Sequence, residues 1–434
     1  MRTYNDALKY LERLCQFGVK EGLERTKRLA AALGNPQNFY RTIHVTGTNG
    51  KGSVCAMLAE MLKLQGLRVG LFTSPHLESY CERIRIYDGK NYEVSNPHGL
   101  RMDAATNFKT SKRYGATAVC QLSKSCGENI SEADFAEMIF RVKNSGVEAT
   151  HFETLTLAAF EYFKIRAVDV AVVEVGMGGT FDSTNIIAPE LCIITTVALD
   201  HEKILGDLNG IARNKAGIIR PNVPTVTGVT GEQLEIIRAV AKEKNSPLYE
   251  VTTPAEVKIN LRGEYQKFNA AIAIKAAQVL GIDDEKIYSA LARVEWPGRF
   301  EIFKNSSGVI VIDGAHNPHG AAALRESLDK NFPHGKRIWV FGVLADKNFA
   351  EMIKILFRAG DFVIVTPPDS ERAASTEILC KSLREHDIDC VAVENNFEAV
   401  ERLKNSDGDV KIIAGSLYLI GAVRHLICNH QKKF

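Results

Sequence analysis

From residue 42 onward, short apolar runs alternate with longer segments in which apolar residues recur at helical spacing. The run at 42–46 (TIHVT) is interpreted as a buried strand. The runs at 68–74, 168–176, 191–199 and 223–228 have the continuous apolar character expected of strands buried on both faces of a parallel sheet. Segments between them, such as 53–65, repeat apolar residues at i, i+3 and i+4, which is typical of a helix packed on one side. The alternation predicts an α/β fold with a mainly parallel sheet and right-handed crossovers.

A second series of this kind begins near residue 309. Its apolar runs lie at 309–313, 337–343, 361–366 and 410–415. Before it, the Pro-Gly pair in WPGR (296–299) breaks regular structure. We therefore predict a larger domain at 1–295 and a smaller, Rossmann-like α/β domain at 296–434. Residues 90–129 are polar, rich in Ser, Lys and Asn, and weakly periodic, so we interpret them as an excursion outside the core.

The stretch HVTGTNGKGS (44–53) lies between a predicted strand and a predicted helix. It departs from the common phosphate-loop pattern GxxxxGK[ST], because Val45 holds the first glycine position and Gly52 separates Lys51 from the next hydroxyl. A phosphate site needs inward N–H groups, a helix N-terminus and one cation, and this stretch supplies all three. The alternative is a glycine turn with a solvated lysine. The residues predicted to bind phosphate are Asn49, Gly50, Lys51, Gly52 and Ser53.

Charge and cysteine usage exclude several classes of partner. The 54 basic and 52 acidic residues give a net charge of +2, which indicates neither a nucleic-acid nor an anionic-membrane partner. No apolar run approaches the ~20 residues needed to cross a bilayer, and the N-terminus lacks a signal-peptide core. The nine cysteines are scattered without a zinc or disulfide pattern. We predict a cytoplasmic protein.

The glycine loop resembles that of folylpolyglutamate synthases and dihydrofolate synthases, a family of the Mur ligase superfamily in which a glycine follows the lysine. Further stretches resemble the motifs of this family in the same order along nearly the whole chain. They are GLERTKRLAAALGNPQ (22–37), TSPHLESYCERIRI (73–86), HFETLTLAAFEYF (151–163), EVGMGGTFDSTN (174–185), LDHEKILG (199–206), NKAGIIR (214–220), GEYQKFNAA (263–271), WPGRFE (296–301), DGAHNPHG (313–320) and GSLYLIG (415–421).

The resemblance implies a P-loop-type Mur ligase ATPase domain followed by a C-terminal glutamate ligase domain. The implied reaction is ATP-dependent ligation of L-glutamate to a folate, to dihydropteroate or to both. A carboxylate takes the γ-phosphoryl group of ATP to become an acyl phosphate, and the amine of glutamate displaces the phosphate. Such chemistry needs divalent cations, here two Mg²⁺ ions, to neutralise phosphate charge. The resemblance also implies a monomer.

By the same resemblance, Ser74, Glu153 and His201 hold the metal ions, and Lys215 is carbamylated. Each has a plainer alternative. Ser74 could cap a helix before Pro75, Glu153 could be a favourable charge at a helix N-terminus, and His201 could be an ordinary surface histidine. Histidine is also an unusual ligand for magnesium. Lys215 could simply pair with an acidic side chain.

Four positions resemble residues that contact ATP or lie beside the reaction. Asn269 is expected at the adenine, Arg299 at the phosphates and Asp313 at the ribose. His316 is expected where the second domain closes on the first, and together with Lys51 and Lys215 it completes the predicted catalytic residues. The alternative for Arg299 is an interdomain salt bridge, and for DGAHNPHG a turn at a strand end. Ser416 is a weaker candidate for the glutamate site.

Three departures from the family pattern affect the expected substrate contacts. Thr180 stands where many relatives have arginine, residues 90–129 are longer than expected, and 249–263 are too short for the usual hairpin. One alternative function is another Mur-type ligase acting on a cell-wall precursor, although only about 40 residues precede the glycine loop. A second is a nucleotide-dependent switch protein, for which the second α/β domain would be superfluous.

Overall fold

The computed structural model describes residues 2–15, 22–89, 127–200, 202–305 and 308–428. The predicted metal ligand His201 and residues 90–126 of the predicted excursion therefore lie outside the described residues. The last residues of that predicted excursion join the edge of the first sheet as a short strand.

Eight strands form the first sheet in the described part of the chain, in the order β4-β3-β2-β5-β1-β6-β7-β8. The strands are β1 Arg41–Thr46, β2 Val69–Phe72, β3 Ile84–Tyr87, β4 Glu128–Asn129, β5 Val170–Glu174, β6 Leu191–Ile194, β7 Thr225–Thr227 and β8 Leu248–Glu250. β3 pairs antiparallel with β2 and β4, whereas the other pairings are parallel. The predicted mainly parallel sheet is confirmed.

Helices cover both faces of this sheet. They are α1 Tyr4–Cys15, α2 Glu24–Ala32, α3 Lys51–Leu64, α4 Glu132–Lys143, α5 His151–Ile165, α6 Glu202–Leu205, α7 Leu208–Ala216, α8 Glu232–Glu243, α9 Tyr265–Val279 and α10 Asp284–Leu291. One apolar core packs α3, α9 and α10 against one face of the sheet, where Val170 and Val172 point. A second core packs α1, α4 and α5 against the opposite face, where Ala171 and Val173 point. Two-sided burial explains why strands such as β5 and β6 are almost entirely apolar. The central strand β1 differs, because Thr42, His44 and Thr46 are buried polar residues. None of the helices in the described residues combines the length and apolarity of a membrane span.

The second sheet has six strands among the described residues, in the order β13-β12-β11-β14-β10-β9. Its strands are β9 Glu301–Asn305, β10 Gly308–Ile312, β11 Arg337–Phe341, β12 Phe362–Val365, β13 Asp389–Ala392 and β14 Val410–Ala414. Only β9 runs antiparallel to its neighbour. The associated helices are α11 Pro318–Asn331, α12 Phe349–Leu356, α13 Thr376–Arg384, α14 Asn396–Asn405 and α15 Leu417–Cys428. The boundary predicted near residue 296 falls between α10 and β9.

His44, within β1, shows how tightly the first sheet is buried. Its side chain is 0% exposed, and Nε2 lies 2.9 Å from Thr184 Oγ1. Burial, with a further contribution from the Arg220 cation, lowers the pKa of His44 from 6.5 to about 3. As the pH falls below the unfolded value of 6.5, the unfolded chain binds a proton that the folded chain does not, so stability present at neutral pH is lost on acidification.

When the pH falls from roughly 7.5 to 5.5, protonation of His44 in the unfolded chain should lower the free energy of unfolding by about 1.4 kcal/mol. Urea unfolding at both pH values would measure this loss in the wild type and in His44→Gln. The variant should lose less stability on acidification by about this amount. Identical losses in the two proteins would contradict the assignment of a neutral, proton-excluding His44.

Candidate active site

A cavity of about 550 Å³ lies beyond the carboxyl ends of the parallel strands in the first sheet. The segments that follow β1, β2, β5, β6 and β7 line one side of it, and residues of the second domain line the other. Ligands of open α/β sheets bind at this end of the strands, because the chain there can diverge around a ligand. The position indicates the principal binding site of the first domain.

The glycine loop forms the floor of this cavity, between β1 and the first residue of α3. Gly47 and Gly50 have φ values of 151° and 84°. A Cβ on Gly47 would lie 1.8 Å from Thr195 Oγ1, and one on Gly50 would lie 2.3 Å from Asn269 Oδ1. Both positions therefore require glycine for backbone conformation and for space. The loop is a close-packed cradle at a helix N-terminus, the arrangement that binds phosphate.

Lys51 supplies the cation of this cradle. Its Nζ donates hydrogen bonds to the carbonyl oxygens of Gly47 (2.9 Å) and Thr48 (3.2 Å). Within the described residues no carboxylate forms an ion pair with Lys51, so its charge remains available to an anion above the loop. Ser53 lies deeper in the site, where its Oγ accepts a hydrogen bond from Gln266 Nε2 at 3.1 Å.

Two predicted nucleotide contacts come from elements next to the loop. Asn269 on α9 is 5% exposed, and its Nδ2 donates to Gln266 Oε1 at 2.9 Å. Arg299 follows the interdomain junction and lines the same cavity, and a Cβ on Gly314 would lie 2.2 Å from Arg299 Nη1. The structure thus brings Asn269 and Arg299 to the cavity that contains the glycine loop.

Ser74 and Glu174 meet at the edge of this cavity, where β2 and β5 end. The backbone N–H of Ser74 donates to Glu174 Oε2 at 3.0 Å. Glu174 is 3% exposed, and burial raises the pKa of its carboxyl while the nearby Lys51 cation opposes that rise. Among the described residues no side chain forms an ion pair with Glu174. Its environment favours binding of a cation.

Glu153 lies elsewhere and is already engaged. It is the third residue of α5, and its Oε2 accepts hydrogen bonds from Thr150 N (2.7 Å), Thr150 Oγ1 (2.8 Å) and Arg25 Nε (2.7 Å), while Oε1 accepts from Thr26 Oγ1 (2.9 Å). Burial acts to raise the pKa of Glu153, but these hydrogen bonds outweigh it and hold the pKa below its usual value. The structure does not bring Glu153 to the cavity of the glycine loop. Its contacts are those of the helix-capping alternative.

Lys215, on α7, also lines this cavity. It is 4% exposed, and its side chain makes no hydrogen bond or ion pair with the residues that the structure describes. Burial, and next the Lys51 cation, lowers the pKa of Lys215 to about 7, against the weaker effects of Asp200 and Asp182. Burial therefore favours the neutral amine of Lys215 over the ammonium form.

Asp313 and His316 form the second domain's side of the cavity, after β10. The Asp313 carboxylate accepts hydrogen bonds from Tyr265 OH (2.7 Å), Phe300 N (2.8 Å) and Ala315 N (2.8 Å). His316 Nδ1 lies 2.7 Å from Gly314 O, so this nitrogen carries the proton and Nε2 is the acceptor. Burial lowers the pKa of His316 to about 4, and the Lys347 cation adds to the effect, so the ring is neutral at pH 7.

The two domains are joined beside the phosphate cradle by the predicted residue Asn49 and by three residues that the sequence did not single out, Asp200, Asn317 and Lys347. Asp200 accepts hydrogen bonds from Lys347 Nζ (2.6 Å) and Asn317 Nδ2 (3.1 Å). The amides of Asn49 and Asn317 form a reciprocal pair with two contacts of 3.1 Å. The glycine loop therefore contacts the start of α11 directly, and a nucleotide bound in the cradle would lie at the domain interface.

A larger cleft of about 1730 Å³ opens next to this cavity. Ser74 and His316 line both spaces, so the two spaces are adjacent. Ser416 and the 54% exposed Phe181 also line the cleft. Thr180, where arginine was expected, instead turns its Oγ1 to Asn214 O at 2.9 Å and packs against α7. The cleft has room for a second, larger substrate beside the phosphate cradle.

The arrangement can hold a cation among oxygen ligands. Glu174 offers a carboxylate and Ser74 a hydroxyl, and Mg²⁺ favours oxygen ligands while keeping several waters. In the described residues no three His, Cys, Asp or Glu side chains form a metal-binding cluster. A site built from one carboxylate, one hydroxyl and water fits magnesium better than a transition metal.

Comparison with known proteins agrees with this geometry. Residues 298–417 match the family model described as "Mur ligase, glutamate ligase domain". The chain is 33% identical over 462 residues to the dihydrofolate synthase/folylpolyglutamate synthase of Bacillus subtilis, over 97% of this chain and 98% of that protein.

Solved structures show the same similarity in three dimensions. The Escherichia coli protein FolC in complex with DHPP and ADP has a TM-score of 0.81 and 27% identity, over 98% of this chain and 97% of that one. A bifunctional folylpolyglutamate synthase/dihydrofolate synthase with Mn, AMPPNP and L-glutamate bound has a TM-score of 0.79 and 28% identity, over 98% of each chain.

Proposed function

The chain belongs to the folylpolyglutamate synthase/dihydrofolate synthase family, and from this premise we propose that it joins L-glutamate to a folate-type acceptor with the energy of ATP. The observation that carries the proposal is the adjacency of two spaces at the domain interface, which share Ser74 and His316 in their linings. A phosphate cradle lies in one, and the other is large enough for a pterin-bearing acceptor. ATP is the nucleotide, and a divalent cation accompanies it, as in the relative bound to Mn and AMPPNP.

The phosphate cradle prepares the first step. The glycine loop and Lys51 hold the β- and γ-phosphates, Asn269 contacts the adenine, and Arg299 reaches the phosphates from the junction. Asp313 is proposed to contact the ribose. Its carboxylate would then accept hydrogen bonds from both the ribose and Tyr265 OH. An acceptor carboxylate oxygen then attacks the γ-phosphorus, ADP leaves, and an acyl phosphate remains.

The second step occurs where the two domains meet. The uncharged amine of glutamate attacks the acyl carbon and phosphate leaves with the electrons of the C–O bond. The nitrogen then gives up one proton to water or to the released phosphate and keeps the other as the amide N–H. His316 is neutral and its Nε2 can accept a hydrogen bond from this amine, which would orient the lone pair toward the acyl carbon. The contacts of Asp200 with Lys347 and Asn317 hold the second domain close enough for this transfer.

We propose Glu174, together with Ser74 and His201, as the residues that hold magnesium, in place of Glu153. Glu174 lies beside Ser74 and the cradle, whereas Glu153 lies against Arg25 in the larger cleft. When bound, the two Mg²⁺ ions neutralise phosphate charge. A carbamylated Lys215 is proposed as a further carboxylate at this site, because its uncharged amine can react with CO2 and its buried ammonium would repel the cations.

Two matched substitutions separate the roles of the glutamates. Glu174→Gln should lower turnover about 10²-fold or more and raise the Mg²⁺ concentration needed for half-maximal activity, with little change in melting temperature. Glu153→Gln should stay active but lose about 0.5–2 kcal/mol of stability, because it weakens the cap of α5. Turnover at several Mg²⁺ concentrations and thermal unfolding give both readouts. An inactive, stable Glu153→Gln beside an active Glu174→Gln would restore the sequence-based assignment.

The acceptor is tested with purified protein, ATP, Mg²⁺ and L-glutamate. ADP release and glutamylated product, detected by mass, should require an acceptor that is dihydropteroate, a folate, or each in turn. A cell-wall nucleotide precursor serves as the competing acceptor. ADP release that needs this precursor, or that needs no acceptor, would overturn the proposal.

We propose further that the enzyme is a cytoplasmic monomer that binds neither nucleic acid nor membrane. The near balance of 54 basic and 52 acidic residues supports the absence of a polyanionic partner. Both domains of one chain supply the residues around the two spaces, which supports a site that is complete within a monomer.

A further inference from the structure

Arg83 is a buried cation that takes no part in the two reaction steps proposed above. Its side chain lines the larger cleft, and the residue is 6% exposed. Nε donates a hydrogen bond to His76 Nδ1 at 2.8 Å, and the guanidinium lies 5.2 Å from the centre of the Tyr80 ring. No carboxylate among the described residues forms an ion pair with it. A buried charge without a partner is costly, so this position favours an anion that arrives from the cleft.

The acidic residues closest in sequence are committed to other partners. The Glu82 carboxylate accepts hydrogen bonds from the backbone N–H groups of Leu77 (3.0 Å), Glu78 (2.8 Å) and Ser79 (2.8 Å). Glu78 Oε1 accepts a hydrogen bond from Arg424 Nη1 at 3.1 Å. The carboxylate of Glu82 therefore stabilises the backbone at 77–79, and that of Glu78 stabilises the contact with the second domain. Neither carboxylate is paired with Arg83, so Arg83 can bind an anionic ligand.

Three aromatic side chains fix the direction of the Arg83 guanidinium. His76 can accept the Nε–H only while its Nδ1 is unprotonated, and its ring lies 4.2 Å from that of Tyr80. Tyr80 OH in turn lies 3.1 Å from His151 Nε2. Since Nε is occupied by His76, the two terminal nitrogens of Arg83 remain for the cleft. Two parallel N–H donors match the two oxygens of a carboxylate.

The second domain is held directly opposite this group. Leu77 packs into the apolar core beside α15, and a Cβ on Gly421 would lie 2.1 Å from Leu77 O. Arg424 on α15 also donates to both carboxylate oxygens of Glu301 at 2.8 Å. Ser416 and Tyr418, at the start of α15, line the cleft together with Arg83. Arg83 thus faces the domain that matches the glutamate ligase model.

We propose that Arg83, oriented by His76, binds a carboxylate of the incoming glutamate. The inference rests on the proposed ligase function and adds the subsite that holds the amino acid. Arg83 contacts the substrate, whereas His76 is a positioning residue that acts through Arg83. Binding one carboxylate at this point leaves the amine free to reach the acyl carbon near His316, which lines the same cleft.

Arg83→Gln tests the subsite by steady-state kinetics with each substrate varied in turn. Loss of a buried guanidinium–carboxylate pair should raise the KM for glutamate about 30-fold or more. The KM for ATP should stay within about 2-fold. Arg293→Gln, a change of an exposed arginine at the end of α10, is the matched control and should leave all KM values unchanged. An unchanged KM for glutamate in Arg83→Gln would overturn the proposal.

The glutamate-independent half-reaction separates this inference from the proposed function. Hydroxylamine traps an acyl phosphate as a hydroxamate when ATP and acceptor are supplied without glutamate. Wild type and Arg83→Gln should form hydroxamate at similar rates, which also shows that the variant is folded. Absence of hydroxamate in the wild type would contradict the ligase function itself. Hydroxamate in both proteins with equal KM values for glutamate would contradict only the role of Arg83.

The choice of acceptor distinguishes the two sources of a carboxylate. Dihydropteroate lacks a glutamyl tail, whereas a folate monoglutamate carries one. The rise in KM for glutamate should be the same with either acceptor that the enzyme uses. A rise confined to the KM for the folate would mean that Arg83 binds the acceptor's tail, and would overturn the assignment to the incoming amino acid.

His76 variants test its positioning role. His76→Asn keeps a hydrogen-bond acceptor near the position of Nδ1 and should retain a KM for glutamate within about 3-fold of the wild type, whereas His76→Phe keeps the ring but removes the acceptor and should raise it about 10-fold. Adding Arg83→Gln to His76→Phe should produce little further rise, because both changes affect one interaction. Independent, multiplying effects would contradict positioning through Arg83.

Discussion

Lys51→Ala is expected to lower ATP turnover by about 10³-fold or more while the fold persists. The Lys51 ammonium is the cation in the glycine cradle, and its contacts in the structure are the carbonyl oxygens of the loop itself. In the proposed mechanism, alanine removes the point charge that would stabilise the β- and γ-phosphates as ADP leaves. ADP release under saturating acceptor and glutamate measures the loss.

A surface lysine provides the matched control for this change. Lys244, at the end of α8, is 39% exposed and pairs with Glu243. Lys244→Ala should turn over at the wild-type rate, and the melting temperatures of both variants should stay close to that of the wild type. A Lys51→Ala protein with near-wild-type turnover would mean that the glycine loop is not the ATP site.

Lys215→Ala is expected to be inactive, with a loss of about 10²-fold or more, and to recover partly when a short carboxylate such as acetate is added. A buried ammonium beside magnesium ions would repel them, whereas a carbamate carries the negative charge that the ions require. Small carboxylates can enter the space left by the side chain. Turnover with and without acetate, and incorporation of isotope-labelled CO2 into the wild type, measure both parts of the prediction.

Two further variants show whether the negative charge is the cause. Lys215→Arg should remain inactive with acetate, because arginine stays cationic and fills the space. Lys51→Ala should not be rescued by acetate either, since it lacks a cation. An active Lys215→Arg would contradict carbamylation, and rescue of both alanine variants would make the acetate effect non-specific.

The central architecture could be predicted because its signals are local. Strands such as Val170–Glu174 are buried on both faces, which leaves long apolar runs in the sequence. The strands that we missed are short, lie at or near sheet edges, or run antiparallel, among them β3, β4, β9 and β13. Edge positions tolerate polar residues, so β13, with the sequence DCVA, carries little periodic signal.

At the metal site the family resemblance and the local signals point to different residues. Thr150 and Glu153 form the T-x-x-E spacing of a capping box, a signal that was readable before the apolar run of α5. Glu174 is the carboxylate that ends the buried strand β5, and it also begins the motif EVGMGGTFDSTN. Carboxyl ends of parallel strands converge at one edge, and that rule favours Glu174 over Glu153.

Other parts of the site could not be predicted from the sequence. Asp200 and Lys347 are 147 residues apart and come from different domains, so only the fold brings them together. The same holds for Asn49 and Asn317, which are separated by 268 residues. The perturbed pKa of Lys215 depends on burial and on the Lys51 cation, neither of which follows from the motif NKAGIIR.

The path of one oxygen atom tests the central claim most directly. The acceptor carboxylate is labelled with a heavy oxygen isotope and incubated with the enzyme, ATP, Mg²⁺ and glutamate. If that carboxylate attacks the γ-phosphorus and the amine then displaces phosphate from the acyl carbon, each released phosphate carries one labelled oxygen and the product gains one glutamyl residue. Released phosphate without the label would mean that water attacks ATP, and would contradict a ligase that works through an acyl phosphate.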